Sequence, residues 1–144
     1  MEQLETIRQW LLTWPGWGSD TLAWEQLEHK PGQGALYCLG LEQLEQQQDL
    51  QGNTLSRCRL HLQLRRCTLA GQQPGWPAQL QLWLLQCSAA GQSPALGCTD
   101  QRRLWADGCR QLPCEQPGIC LKQLELWAEF TLYLEGGAED DEGV

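Results

Sequence analysis

The sequence predicts an α+β fold in which two helices pack on one face of a mainly antiparallel sheet. Two segments, near residues 4–14 and 76–87, carry apolar side chains at the three- and four-residue spacing of amphipathic helices. Other segments alternate apolar and polar residues, which is typical of antiparallel strands with one solvated face. Helices separated by runs of strands favour the α+β class.

The two predicted helices have clear ends. The first begins near the N-terminus and ends at Pro15-Gly16, a pair that interrupts helices. The second begins around Pro77, because proline fits the first turn of a helix, and ends at Gly91. The predicted apolar faces are Leu4, Ile7, Leu11 and Trp14 in the first helix, and Trp76, Leu80, Trp83, Leu84 and Cys87 in the second.

Strands are predicted at 21–27, 35–41, 54–68, 102–111 and 119–134. The third and the last alternate most clearly, which indicates one buried and one solvated side. Their predicted inward side chains are Cys58, Leu60, Leu62 and Leu64 in the third strand, and Leu124, Leu126, Ala128, Phe130 and Leu132 in the last. Residues 42–51 fit either a continuation of the second strand or a polar loop, and both interpretations stay open.

The 144 residues predict a single domain over residues 1–135, followed by a disordered acidic tail at 136–144. The formal net charge is −8, and four acidic residues lie within 139–142. The domain itself is therefore only mildly acidic, which argues against a basic nucleic-acid-binding domain. We expect no signal peptide and no membrane span, because the N-terminus is acidic and no apolar run reaches about eighteen residues.

The eight cysteines predict neither a disulfide framework nor a zinc site. Without a signal peptide, a reducing cytoplasm is the expected compartment. No CxxC pair occurs, and the closest spacing joins Cys109 to Cys114, whereas zinc ligands usually lie about two to four residues apart. The motifs of a phosphate-binding loop and of a nucleophile elbow are absent from the sequence. We therefore expect no cofactor, no metal and no catalytic residues.

Four basic residues share the polar side of the strand predicted at 54–68, and we call them the basic stripe: Arg57, Arg59, His61 and Arg65. Three interpretations stay open, namely a solvated face, a contact with acidic residues of another subunit, or the lining of a passage for DNA. Glu125 and Glu129 occupy the same kind of side on the last strand. If the two strands pair, cross-strand ion pairs account for much of the stripe.

Two tryptophans are predicted to contact another protein. The chain has eight tryptophans, and we do not expect all of them to be fully buried in one small core. Trp127 falls on the polar side of the last strand, and Trp17 falls in a loop. Because tryptophan outside a core is a frequent anchor of interfaces, Trp17 and Trp127 join the basic stripe as candidate interface residues.

In the order of its segments, the sequence resembles the small minor capsid or tail-terminator-like proteins of siphophages. The likeness begins with the segment IRQWLLTWP at 7–15 and includes the strand block at 54–71. It continues with WL at 83–84 and SPALG at 93–97, and ends with FTLYL at 130–134. Nearly the whole chain is covered, to about residue 135.

The resemblance implies a tail-terminator-like sandwich and a structural, non-enzymatic role at the head–tail junction. Proteins of this family assemble as rings, usually hexamers, that cap the finished tail tube and dock to the head connector. The expected partners are further copies of the chain, the tail-tube protein and other neck proteins, in a virion assembled in the bacterial host cytoplasm. The alternative is another neck or minor capsid protein that contacts DNA through the basic stripe.

Overall fold

The computed structural model describes residues 2–99 and 101–135, and the predicted tail at 136–144 lies outside the described residues. Within them the elements are α1 (Glu2–Leu11), β1 (Thr21–Trp24), β2 (Gln33–Gln48), β3 (Thr54–Leu69), α2 (Trp76–Ala89), β4 (Arg103–Leu112) and β5 (Ile119–Leu134). Both predicted helices and all five predicted strands are present, and this confirms the α+β prediction.

The five strands form one mixed sheet in the order β1-β2-β3-β5-β4. The four longer strands pair antiparallel with one another, as their alternation predicted. β1 runs parallel to β2 and covers it only from Gln33 to Leu36. β1 also ends at Trp24, earlier than the predicted residue 27, so most of the outer edge of β2 lies beyond it.

The ambiguous segment 42–51 is mostly strand, because β2 continues to Gln48 before a turn leads into β3. In this turn the Asp49 carboxylate accepts hydrogen bonds from the backbone N–H groups of Gln51, at 2.8 Å, and Asn53, at 2.9 Å. These bonds, chiefly the one from Asn53, lower the pKa of Asp49. Pairing with β3 satisfies the backbone polar groups on the inner edge of β2, so even a glutamine-rich segment forms a strand here.

Both helices contribute to one core on a single face of the sheet. The predicted inward side chains of β3 and β5 lie in this core, and Leu132 packs against it while only partly buried. The helices supply Ile7 and Leu11 from α1, and Trp76, Leu80 and Leu84 from α2. The alternation read from the sequence therefore fixes which side of each long strand the helices cover.

Trp17 is not the exposed loop residue that the sequence analysis predicted. A short 3-10 helix, Pro15–Trp17, follows α1 and directs the indole into the core, where the side chain is 2% exposed. Its Nε1–H donates a hydrogen bond to the Leu11 carbonyl oxygen at 2.6 Å. Because both the ring and its polar atom have partners within the domain, Trp17 is a core residue and not a surface anchor.

Arg66 is fully buried on the helix-covered side of β3. Its Nη2 lies 2.6 Å from Asp20 Oδ2 and donates to the Gly16 carbonyl oxygen at 3.2 Å and to Gln73 Oε1 at 3.0 Å. Three indole rings surround its Cζ atom with centroids 4.7–5.8 Å away: Trp14, Trp17 and Trp76. Cation–π attraction is strongest where the cation is desolvated, as it is here.

Candidate protein interface on the open face of the sheet

The sheet has a second face, here called the open face, which consists of the side chains of β2–β5 that point away from the helices. The basic stripe lies on it, with side chains partly exposed. β3 pairs with β5 along its whole length, so the strand that carries the stripe lies beside the strand that carries Glu125 and Glu129. Arg59 Nη2 lies 2.8 Å from Glu129 Oε2, and His61 Nε2 lies 2.7 Å from Glu125 Oε1. The expected cross-strand ion pair is therefore present for Arg59 and Glu129, and His61 is hydrogen-bonded to Glu125.

Four charged residues of alternating sign lie in register across four strands and form what we call the charge row: Arg103, Glu129, Arg59 and Glu42. The nitrogen–oxygen distances along it are 3.8, 2.8 and 3.9 Å. Exposed ion pairs contribute only about 0–1 kcal/mol each. The row therefore matters more for the charge balance of the open face than for the stability of the domain.

The other two arginines of the stripe are also partnered. Arg57 lies 3.4 Å from Glu45 and 3.5 Å from Glu129. Arg65 donates from Nε to Gln123 Oε1 at 2.9 Å, and its Cζ lies 4.6 Å from the centroid of the Tyr37 ring. All four residues of the stripe thus interact with neighbouring strands, and the guanidinium groups of Arg57 and Arg59 do so through carboxylates.

A second row runs beside the charge row and consists of Trp105, Trp127, His61 and Gly40, which we call the aromatic row. The rings of His61 and Trp127 stack with centroids 3.8 Å apart and an interplanar angle of 5°. Trp127 Nε1 donates to Asp107 at 3.1 Å. Trp127 is thus on the open face and partly exposed, as the sequence predicted.

The aromatic row ends in a notch at Gly40. The notch has a volume of about 230 Å³ and is bordered by His61, Leu39, Leu41 and Glu42 among others. A Cβ added at Gly40 would meet no atom within 4 Å, so the space directly above this residue is open. Leu39, in the bulge before Gly40, is 51% exposed. The notch therefore combines the planar His61 ring with the carboxylate of Glu42 and the guanidinium of Arg59, which suits a planar side chain of another protein.

The sequence analysis missed the outer members of both rows, namely Gly40, Glu42, Arg103 and Trp105. Each lies on a strand at or next to the edge of the sheet, and register across four strands joins them to the stripe. The segment EQLEQQQ at 42–48 does not alternate with a period of two, so its sequence alone did not indicate that β2 extends far enough to place Glu42 beside the stripe.

One cysteine and one histidine lie close together in the described part of the chain. All eight cysteines are free thiols. Cys114 Sγ lies 3.8 Å from His29 Nδ1, but no group of three metal-ligating side chains occurs within the residues that the structure describes. Burial, with smaller effects of Cys114 and Cys120, raises the pKa of the Cys67 thiol to about 11, which makes it a poor nucleophile.

Two further findings concern possible membrane spans and similar proteins. In the described part of the chain, no helix is both long enough and apolar enough to cross a membrane. No protein-family model matches the sequence, and none of the curated proteins is significantly similar to it.

Proposed function

We propose that this chain is a structural protein of a tailed phage or prophage and acts at the head–tail junction. In this role, copies of the chain assemble into a ring, six copies being the number that the resemblance implies. The ring caps the finished tail tube, stops its polymerisation and offers a docking surface to the head connector. Its partners are further copies of itself, the tail-tube protein and neck proteins, and it performs no catalysis.

The observation that carries the proposal is the open face. One face of the sheet is covered by the helices and forms the core, whereas the other bears ordered ion pairs and half-buried aromatic rings. Aromatic residues and arginine are enriched at protein interfaces, and charged groups there determine register and partner choice. Such a face supports a role in contacts with other proteins, and the segment order that resembles tail-terminator-like proteins supports the particular assembly.

The alternative, contact with DNA through the basic stripe, has weaker support. Phosphate binding requires cations that are free to replace counterions. Arg57 and Arg59 each lie within 4 Å of two carboxylates, and the whole chain has a net charge of −8. Binding to DNA should therefore be weak, whereas true phosphate contacts would give an affinity that falls by nearly one power of the salt concentration per neutralised phosphate.

Deletion of the gene for this chain from the phage or prophage that carries it tests the proposal. Electron microscopy of the induced lysate should show tails of irregular length and filled heads without tails, and supplying the chain from a plasmid should restore whole virions. A matched complementation with Trp17→Ala, a core substitution, should fail for lack of folded protein. Tails of uniform length joined to heads in the absence of the chain would refute the proposed function.

A further inference from the structure

We infer that the two edges of the sheet are complementary halves of one contact between copies, in which Arg103 and Trp105 of one copy dock against Glu42 and the notch at Gly40 of the next. This inference rests on the proposed function, because it specifies how the proposed ring closes. A closed ring needs a heterologous interface, in which one patch meets a different patch on the neighbouring copy. The β4 and β2 sides of the sheet are two such different patches.

Charge complementarity is the first argument. The charge row begins with Arg103 on β4 and ends with Glu42 on β2, and its signs alternate throughout. The side chains of Arg103 and Glu42 are 57% and 66% exposed, and their ion pairs within the chain are long, at 3.8 and 3.9 Å. A copy placed edge to edge therefore continues the alternation, with Arg103 beside Glu42 and no like charges in contact.

The aromatic row adds complementarity of shape at the same two edges. It begins with the half-buried Trp105 ring on β4 and ends with the open space at Gly40 on β2. The same edge-to-edge placement brings Trp105 of one copy to the notch of the next, where it extends the stacked pair of His61 and Trp127. Offset stacking of aromatic rings stabilises such contacts beyond the apolar area that they bury.

A single register satisfies both contacts. β4 and β3 each run antiparallel to β5, and β2 runs antiparallel to β3, so β4 of one copy lies antiparallel to β2 of the next. Trp105 follows Arg103 by two residues, and Gly40 precedes Glu42 by two residues. In an antiparallel pair, a step of two residues forward on one strand corresponds to a step of two residues back on the other, so both contacts form in one alignment. Because the two rows are neighbouring rows of one ladder, the placement that brings Arg103 beside Glu42 also brings Trp105 to Gly40.

Neighbouring features limit the contact to a short segment. β1 occupies the edge of β2 up to Leu36, and a bulge interrupts β2 between Gln43 and Glu45. On the other side, β4 pairs regularly only to Asp107 before the bulge at Gly108. Bulges bend a strand and discourage open-ended edge pairing. The contact is therefore weak for a single pair of copies, and ring closure, in which each copy makes two such contacts, stabilises the assembly.

The test is the oligomeric state of the purified chain by sedimentation velocity, with Gly40→Phe as the principal variant. Phenylalanine fills the notch from within, and Gly40 has neither a positive φ nor a close neighbour that would oppose the change. The matched control is Gln47→Phe, which adds the same ring to an exposed position on β2 beyond the bulge. Gly40→Phe should weaken association by on the order of tenfold or more while leaving the melting temperature of the dissociated chain unchanged, and Gln47→Phe should not weaken it.

Charge reversal provides a second, reciprocal test. Glu42→Arg and Arg103→Glu should each weaken association, and a chain with both changes should recover it, because the alternation is restored with opposite signs. Association that is unaffected by Gly40→Phe, or a double variant as weak as the single ones, would overturn this contact while leaving a ring held by other surfaces possible. A wild-type chain that stays monomeric at all concentrations would also overturn it, whereas the proposed function itself is decided by the tails of the deletion phage.

Discussion

Removal of the Asp20 carboxylate should be one of the most damaging single changes to this domain. Asp20→Ala leaves the guanidinium of Arg66, which is 0% exposed, without its charged partner. Breaking a buried ion pair from one side costs about 3–5 kcal/mol, because the remaining charge is not solvated. The tryptophan rings around Arg66 offset part of this cost, by roughly 1–2 kcal/mol through cation–π attraction. We therefore expect a loss of about 1–4 kcal/mol in the free energy of unfolding.

Removal of the Arg66 guanidinium should reduce the free energy of unfolding by less. In Arg66→Met the remaining Asp20 side chain is 21% exposed and can be hydrated. The same change removes Nη1, a buried donor that has no hydrogen-bond partner among the described residues. We expect a loss of about 1–2 kcal/mol for Arg66→Met. The double variant should be more stable than Asp20→Ala alone, because it no longer buries an unpaired charge.

Urea denaturation of the four proteins, followed by tryptophan fluorescence, measures these differences through the transition midpoints. The protein concentration should be low enough that self-association does not stabilise the folded state. Two results would refute the reasoning: a loss below about 1 kcal/mol for Asp20→Ala, or a double variant whose loss is the sum of the two single losses. Either would mean that Arg66 gains little from its carboxylate partner.

Three further predictions concern other parts of the domain. Gly97→Ala should lower the free energy of unfolding by about 2–4 kcal/mol, because its φ is +71° and a Cβ there would collide with the Thr131 backbone. Gly52→Ala, with φ +84° but open space, is the control and should cost only about 1 kcal/mol in a thermal melt. Burial raises the pKa of Cys67 from 9.0 to about 11, so stability should fall as the pH rises from 9 to 11, and Cys67→Ala should reduce this slope in urea titrations. The hydrogen bonds from Arg8 and then Gln9 lower the pKa of Glu5 from 4.5 to about 2, so its stabilising effect is present above pH 4.5 and lost as the pH falls towards 2. The stability difference between wild type and Glu5→Gln should shrink over that range, and a constant difference would contradict the assignment.

Local patterns in the sequence were sufficient for β3, β5 and the two helices. The alternation in 54–68 and 119–134 is strong because one side of each strand meets the core and the other meets solvent, so the period of two is visible in the residues themselves. The same patterns place the basic stripe and Trp127 on one face, opposite Glu125 and Glu129. Pairing of these two strands, which the stripe suggested, is enough to predict that part of the candidate interface.

The remainder depends on contacts that sequence patterns do not encode. Trp17 lies in a proline-glycine segment without periodicity, and only the 3-10 helix that the segment adopts directs its ring inwards. Arg66 interrupts the apolar pattern of β3, and its burial requires Asp20, which is 46 residues away in the chain. The extension of β2 beyond residue 41 depends on its partner strand more than on its own polar composition.

Glu129 holds a central position in the charge balance of the open face. Its carboxylate, 13% exposed, lies within 4 Å of the guanidinium groups of Arg57, Arg59 and Arg103. Loss of this single carboxylate leaves three guanidinium groups directed at one point, an arrangement that suits a phosphate group. The carboxylates of Glu45 and Glu42 then remain beside Arg57 and Arg59. One substitution therefore shifts the charge balance of the open face towards the binding of anions.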